Sequence, residues 1–115
     1  MIFLATYSRI DRISEEIKKE LTKIIMELKD PRIPQLVSVI KVDVTKDLSY
    51  AKAYVSVFGD DKVVKDALIA LKNAAGFIRK EIARKVKLRA VPEFTFVADD
   101  SIAYGSHISE VLKNL

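Results

Sequence analysis

The sequence predicts an α+β fold: a three-stranded sheet with helices on one face, in a single domain. Three observations carry that expectation. Residues 10–28 and 64–86 place apolar side chains three or four positions apart, the period of an amphipathic helix. The stretches "LVSVIKVDV" (36–44) and "YAKAYVSVF" (50–58) instead alternate apolar and polar residues and are rich in valine, as strands are. A length of 115 residues suits one domain, 1–115, that can bury a core without disulfides or metals.

The first helix carries Ile10, Ile13, Ile17, Leu21, Ile24, Ile25 and Leu28 on one face and charges of both signs on the other. Asp30-Pro31 stops it, because the residue before a proline is pushed out of the α region. The two strands are joined by the short turn "TKDLS", so they pair as an antiparallel hairpin. Ala51, Ala53, Val55 and Val57 point to one side of the second strand, a small apolar face on which helices can pack. Tyr50, Lys52, Tyr54, Ser56 and Phe58 point to the other.

Gly59-Asp60-Asp61 opens the next helical region, with aspartates favourable in a first turn. Its apolar stripe is Val64, Leu68, Leu71, Ala75, Ile78, Ile82 and Val86, unbroken through Gly76. A straight helix of about 26 residues would nevertheless be about 39 Å long at ~1.5 Å per residue. The radius of gyration of a compact domain this size is ~13 Å. A joint is therefore expected at 74–76, with Gly76 as the residue that tolerates unusual dihedrals. Phe77, just beyond it, is expected to serve the core. Pro92 ends a connector, "EFTFVA" reads as a third strand, and 100–115 as a short C-terminal helix capped by Asp100 or Ser101. The order is α-β-β-α-kink-α-β and a final short helix.

No chemistry of catalysis stands out. His107 is the only histidine, and a surface or packing role is its simpler reading. Asp60-Asp61 and Asp99-Asp100 read as helix starts before they read as metal ligands. Phosphate-cradling glycine motifs do not occur among the three glycines. There is no cysteine, which excludes disulfides and fits a reducing cytoplasm. The start "MIFLATYSRIDR" has too short an apolar run for a signal peptide. The expectation is a cytoplasmic, monomeric protein without cofactor or metal.

Charge is more informative. Arg79, Lys80, Arg84, Lys85, Lys87 and Arg89 stand against the single acid Glu81, so the segment 79–89 carries +5 while the whole chain carries +4. Clustering of this kind points to a polyanion partner. Lys80, Arg84 and Lys87 follow steps of four and three and can share a helix face, while Arg79 and Lys85 flank the apolar stripe. Such contacts would meet phosphates and would position rather than read sequence. A generic nucleic-acid or DNA-binding module, a small enzyme built on His107, and a merely solvated basic face remain open on these residues alone.

A resemblance narrows the choice. The element order, with a helix joint before a basic segment, resembles a type II KH domain, but the usual GXXG clamp is missing, since Gly76 has no second glycine three residues away. The chain is similar in that departure to the ribosome-binding factor A family, in which an Ala-x-Gly kink replaces the loop. The matching stretches are "SRIDRISEEIKKEL", "DPRI" at 30–33, "VDVTKDLSYAKAYVSVFGD", "ALKNAAGFIRKEI" and "LRAVPEFTFVADDSI". The resemblance implies a non-enzymatic assembly factor that binds the free small ribosomal subunit. It would assist late maturation of the subunit's rRNA near the 5′ end, including during cold adaptation. It implies an RNA-binding set in which Ala74, Ala75 and Gly76 form the kink and Asn73 precedes it. Arg79 and Arg89 match basic positions of the family; Lys80, Arg84, Lys85 and Lys87 join them by charge and proximity.

Overall fold

The computed structural model describes residues 8–34 and 37–99. Helix α1 spans Arg9–Glu27. Its start is a reciprocal cap: Asp11 N–H donates to Ser8 Oγ at 3.2 Å, and Ser8 N–H donates to the Asp11 carboxylate at 3.0 Å. A cap of this type stabilises a helix by about 1 kcal/mol. Ile13, Ile17, Leu21, Ile24 and Ile25 are buried along one face. Beyond the helix, the Arg32 guanidinium clasps Asp30 at 2.8 Å across Pro31, which closes the turn the proline predicts.

Strands β1 (Val37–Val44) and β2 (Tyr50–Val57) form the antiparallel hairpin. The register shifts between Val39 and Lys41, which leaves Ile40 outside the pairing. One extra residue returns Val42 to the buried face, where Val39 already lies. The turn holds Leu48 at φ 61 with its side chain buried. Asp47 braces it, accepting from Ser49 N–H at 3.0 Å and Thr45 Oγ1 at 2.8 Å. Strand β3 (Glu93–Ala98) pairs parallel with β2, from Tyr50↔Glu93 to Val55↔Ala98. The sheet order is β1-β2-β3, so β3 is an edge.

A parallel pair needs a crossover connection. Helices α2 (Asp61–Asn73) and α3 (Ala75–Lys85) provide it. All three helices lie over the sheet face that carries Ala51, Ala53 and Val55, none of them more than 2% exposed. Their small side chains let the helices come close. Ile17, Leu21, Leu71, Ile78 and Ile82 fill the layer between, each at 0%.

The expected joint is present, but Ala74 carries it and Gly76 does not. Ala74 adopts φ −87°, ψ −1°, in the bridge region between helix and turn, and separates α2 from α3. Hydrogen bonds continue across it: Ala74 N–H donates to Ala70 O at 3.0 Å and Ile78 N–H to Ala74 O at 2.9 Å. Gly76 sits inside α3 without a positive φ. The glycine whose conformation matters is Gly59, at φ +156°. A Cβ there would lie 2.5 Å from Val63 Cγ1. Asp60 follows as the N-cap of α2, accepting from Val63 N–H at 2.9 Å.

The stripe also turns relative to its expected line. Ala67, Ala70 and Leu71 are the buried residues of α2, and Ala74 rather than Ala75 packs against the core. Phe77, expected inside, is 53% exposed. Ile78 and Ile82 already fill the core side of α3, and Phe77 lies about 100° round the helix from Ile78. The expected C-terminal helix, with its caps Asp100 and Ser101 and with His107, lies outside the described residues.

Candidate nucleic-acid interface

The helix break opens a cleft. It has a volume of about 800 Å³ and lies between α2, the start of α3 and the first four residues of β3. Its apolar lining comes from Val64, Leu68, Ile69, Phe94 and Phe96. The stacked rings of Phe94 and Phe96, 6.4 Å apart, come from alternate residues of the edge strand. Lys65, Lys72 and Arg79 supply cations along it, at successive steps of seven, two helical turns each. Asp61 and Glu93 add carboxylates.

Gly76 borders this cleft, and a Cβ placed on it would meet nothing within 4 Å. Its lack of a side chain is therefore not required by packing. It leaves bare backbone on the wall of an open cleft, where an approaching group can come closer than any side chain would allow. Arg79, three residues on, is held in place. Its Nε and Nη2 both donate to the Val91 carbonyl, at 3.3 and 3.0 Å. The hydrogen bonds fix the guanidinium, yet no carboxylate among the described residues is paired with its charge.

The ten residues singled out from the sequence divide into four groups. Ala75, Gly76 and Arg79 reach the cleft. Asn73, Lys80 and Arg84 are exposed on a neighbouring side of the helix pair, together with Phe77. Arg84 is less available than its charge suggests, because Nη1 bonds both oxygens of Glu81 at 3.1 and 3.3 Å. Lys85 ends α3 exposed, while Lys87 and Arg89 lie in the connector beyond Val86. The helical face expected for Lys80, Arg84 and Lys87 therefore stops at Arg84. Ala74 is turned inward and half-buried. Lys80, Lys85, Lys87 and Arg89 form no ion pair among the described residues.

Sequence reasoning missed Lys65, Lys72 and the exposure of Phe77. The spacing 65-72-79 was there to find, but Lys65 stands among acids and Lys72 is alone in an otherwise uncharged stretch, so neither adds to the visible basic run. Charge on the open sheet face is balanced: Lys41 lies over the Tyr54 ring at 4.6 Å and is paired with Asp43 at 3.8 Å. Among the described residues no group of three acids or histidines is placed to hold a metal ion, and no helix is long and apolar enough to cross a membrane.

Fold and site together define a class: a small α+β domain whose broken helix pair opens a cation-bordered cleft against a sheet edge. The chain belongs to the ribosome-binding factor A family, whose description matches residues 9–112. It is 55% identical over 108 residues to Ribosome-binding factor A of Clostridium tetani, covering 93% of this chain and 89% of that one. The fold is similar to the solution structure of a putative ribosome binding factor A from Thermotoga maritima, with TM-score 0.74 and 33% identity over 83% of this chain and 91% of that one. It is also similar to a Thermus thermophilus ribosome binding factor A homology model fitted into a cryo-electron-microscopy map of a 30S–RbfA complex. There the TM-score is 0.64 at 31% identity, over 76% of this chain and 91% of that one.

Proposed function

We propose that this protein binds the free small ribosomal subunit as a monomer, contacts its rRNA, and assists late maturation of that rRNA at the 5′ end. The observation that carries the RNA contact is the bare Gly76 backbone on the cleft wall, with Lys72 and Arg79 beside it and, just beyond, four cations that form no ion pair among the described residues. Phosphates are met by cations, and a backbone without side chains admits a sugar-phosphate chain closely. The RNA-binding set is Asn73, Ala75, Gly76, Arg79, Lys80, Arg84, Lys85, Lys87 and Arg89, with Lys65 and Lys72 added and Ala74 setting the joint. The protein acts by binding, without a catalytic step or a cofactor, in the cytoplasm. Its contribution grows in the cold, when misfolded rRNA escapes more slowly.

Gradient sedimentation of a cell extract tests the reading. The protein travels with free small subunits and is absent from intact ribosomes. A strain lacking it accumulates small-subunit rRNA with an unprocessed 5′ end, more so at low temperature. Equal binding to free subunits and intact ribosomes would remove the maturation role. Tighter binding to duplex DNA than to small-subunit rRNA would favour a generic nucleic-acid module instead.

A further inference from the structure

The exposed aromatics among the described residues are Tyr50, Phe58 and Phe77. Tyr50 stands on the open sheet face, paired in register with Glu93. Phe58 is followed closely by Asp60 and Asp61. Phe77 has Lys80 and Arg84 on its side of the helix, along with Glu81, which is paired with Arg84. Lys80 and Arg84 follow it at three and seven, so these three share one side of α3, with Asn73 exposed just before the joint. The core does not need the ring: Ile78 and Ile82 fill that side at 0% exposure. Leaving a phenylalanine half in water is unfavourable, and nothing in the packing accounts for it.

We infer that Phe77 is a stacking platform for an unpaired base of the bound RNA, with Lys80 and the connector cations Lys85, Lys87 and Arg89 holding the flanking phosphates. The chemistry fits a single strand. Every base has a π-face, and an aromatic ring framed by cations recognises a stacked nucleotide without reading its identity. A duplex offers no such face, because its bases are already stacked. This rests on the RNA contact proposed above and adds to it an unpaired nucleotide as the bound form.

The test uses the full chain, an unstructured single-stranded RNA of about a dozen nucleotides, a duplex of the same sequence, and free small subunits. Phe77→Ala and Phe77→Leu each weaken binding of the single strand roughly tenfold, with duplex binding unchanged. Because the chain contains no tryptophan, Phe77→Trp provides a single fluorophore, and its emission is quenched when the single strand binds. Wild-type affinity in Phe77→Leu, or an unquenched tryptophan, would overturn the stacking role. So would loss of subunit binding with oligonucleotide binding intact, which would make Phe77 a contact to ribosomal protein. The double variant Lys80→Gln, Lys85→Gln separates the two readings. If it loses RNA binding while Phe77→Ala does not, the RNA contact stands and the stacking role falls. If neither variant loses RNA binding, both fall.

Discussion

The Arg79 guanidinium is bonded twice to the carbonyl of Val91, twelve residues further along the chain. Those two hydrogen bonds tie α3 to the connector that delivers β3, so they set one wall of the cleft against the other. Arg79 therefore has two duties, a structural one and an electrostatic one. Lysine keeps the charge but cannot make the forked contact. Arg79→Lys is expected to lose about 1 kcal/mol of stability by urea unfolding, at the lower end for hydrogen bonds from a charged donor because the site is exposed. Its RNA salt dependence should be unchanged. Arg79→Gln should lower both.

Gly59 and Gly76 should respond to alanine with opposite signs. Gly59→Ala meets both a positive φ and the Val63 side chain at 2.5 Å, and should destabilise by about 1–3 kcal/mol. Gly76→Ala enters a helix with open space around it and should stabilise by up to about 1 kcal/mol. The same added methyl should weaken RNA binding, because it covers the bare backbone of the cleft wall. A Gly76→Ala protein that is more stable and binds RNA as well as wild type would show that the glycine has no part in recognition.

Ion pairing changes the salt response expected from composition. Six cations in 79–89 would suggest a steep dependence, but Arg84 is paired with Glu81, whereas Arg79 bonds only the uncharged Val91 carbonyl and keeps its charge. Counting Arg79, Lys80, Lys85, Lys87 and Arg89 gives a log–log slope of roughly −3.5 on single-stranded RNA, from ~0.7 per phosphate contact. Glu81→Gln should release Arg84 and steepen the slope by about 0.7. Binding isotherms over a salt series measure both. A flat response would remove the basic segment from the interface.

Acid should weaken the fold through two exposed carboxyls. Hydrogen bonds from Ser49 and then Thr45 hold Asp47 below its ordinary value of 3.8, and Arg32 does the same for Asp30. A carboxyl whose folded pKa is depressed contributes stability above its unfolded pKa and loses it as pH falls through the folded value. Stability should thus be insensitive to these groups above about pH 5 and decline below 3.8. Asp47→Asn, followed by urea midpoints across that range, should show a shallower decline than wild type.

Much of this architecture was legible because local chemistry and burial agree. α1 ends at Glu27, three residues short of the expected Asp30-Pro31 stop, Asp60 caps α2 after Gly59, and the alternation of Ala51, Ala53 and Val55 marks the helix-bearing face. Three things were not legible. The parallel direction of β3 is fixed by how the helix pair crosses over the sheet, which no local pattern encodes. The joint was expected at 74–76, but that Ala74 and not Gly76 would carry it was not legible, because reading Ala75 into the stripe gave an equally regular spacing. Phe77 was assigned to the core on hydrophobicity alone, although Ile78 and Ile82 leave no room for it there. The basic half of the site was visible as a charge run. The cleft half was not, because Lys65 and Lys72 join Arg79 only once α2 and α3 are placed against β3.

The central claim is that the cleft side and exposed side of the helix pair, not the open sheet face, meet rRNA. Photo-crosslinkers placed singly at Lys72 on the cleft wall, at Lys80 and, as a control, at Lys52 on the sheet face test it directly in complexes with free small subunits. Positions 72 and 80 should crosslink to small-subunit rRNA at neighbouring nucleotides, and position 52 should not. Crosslinks to rRNA from 52 alone, or only to ribosomal protein from 72 and 80, would contradict the account.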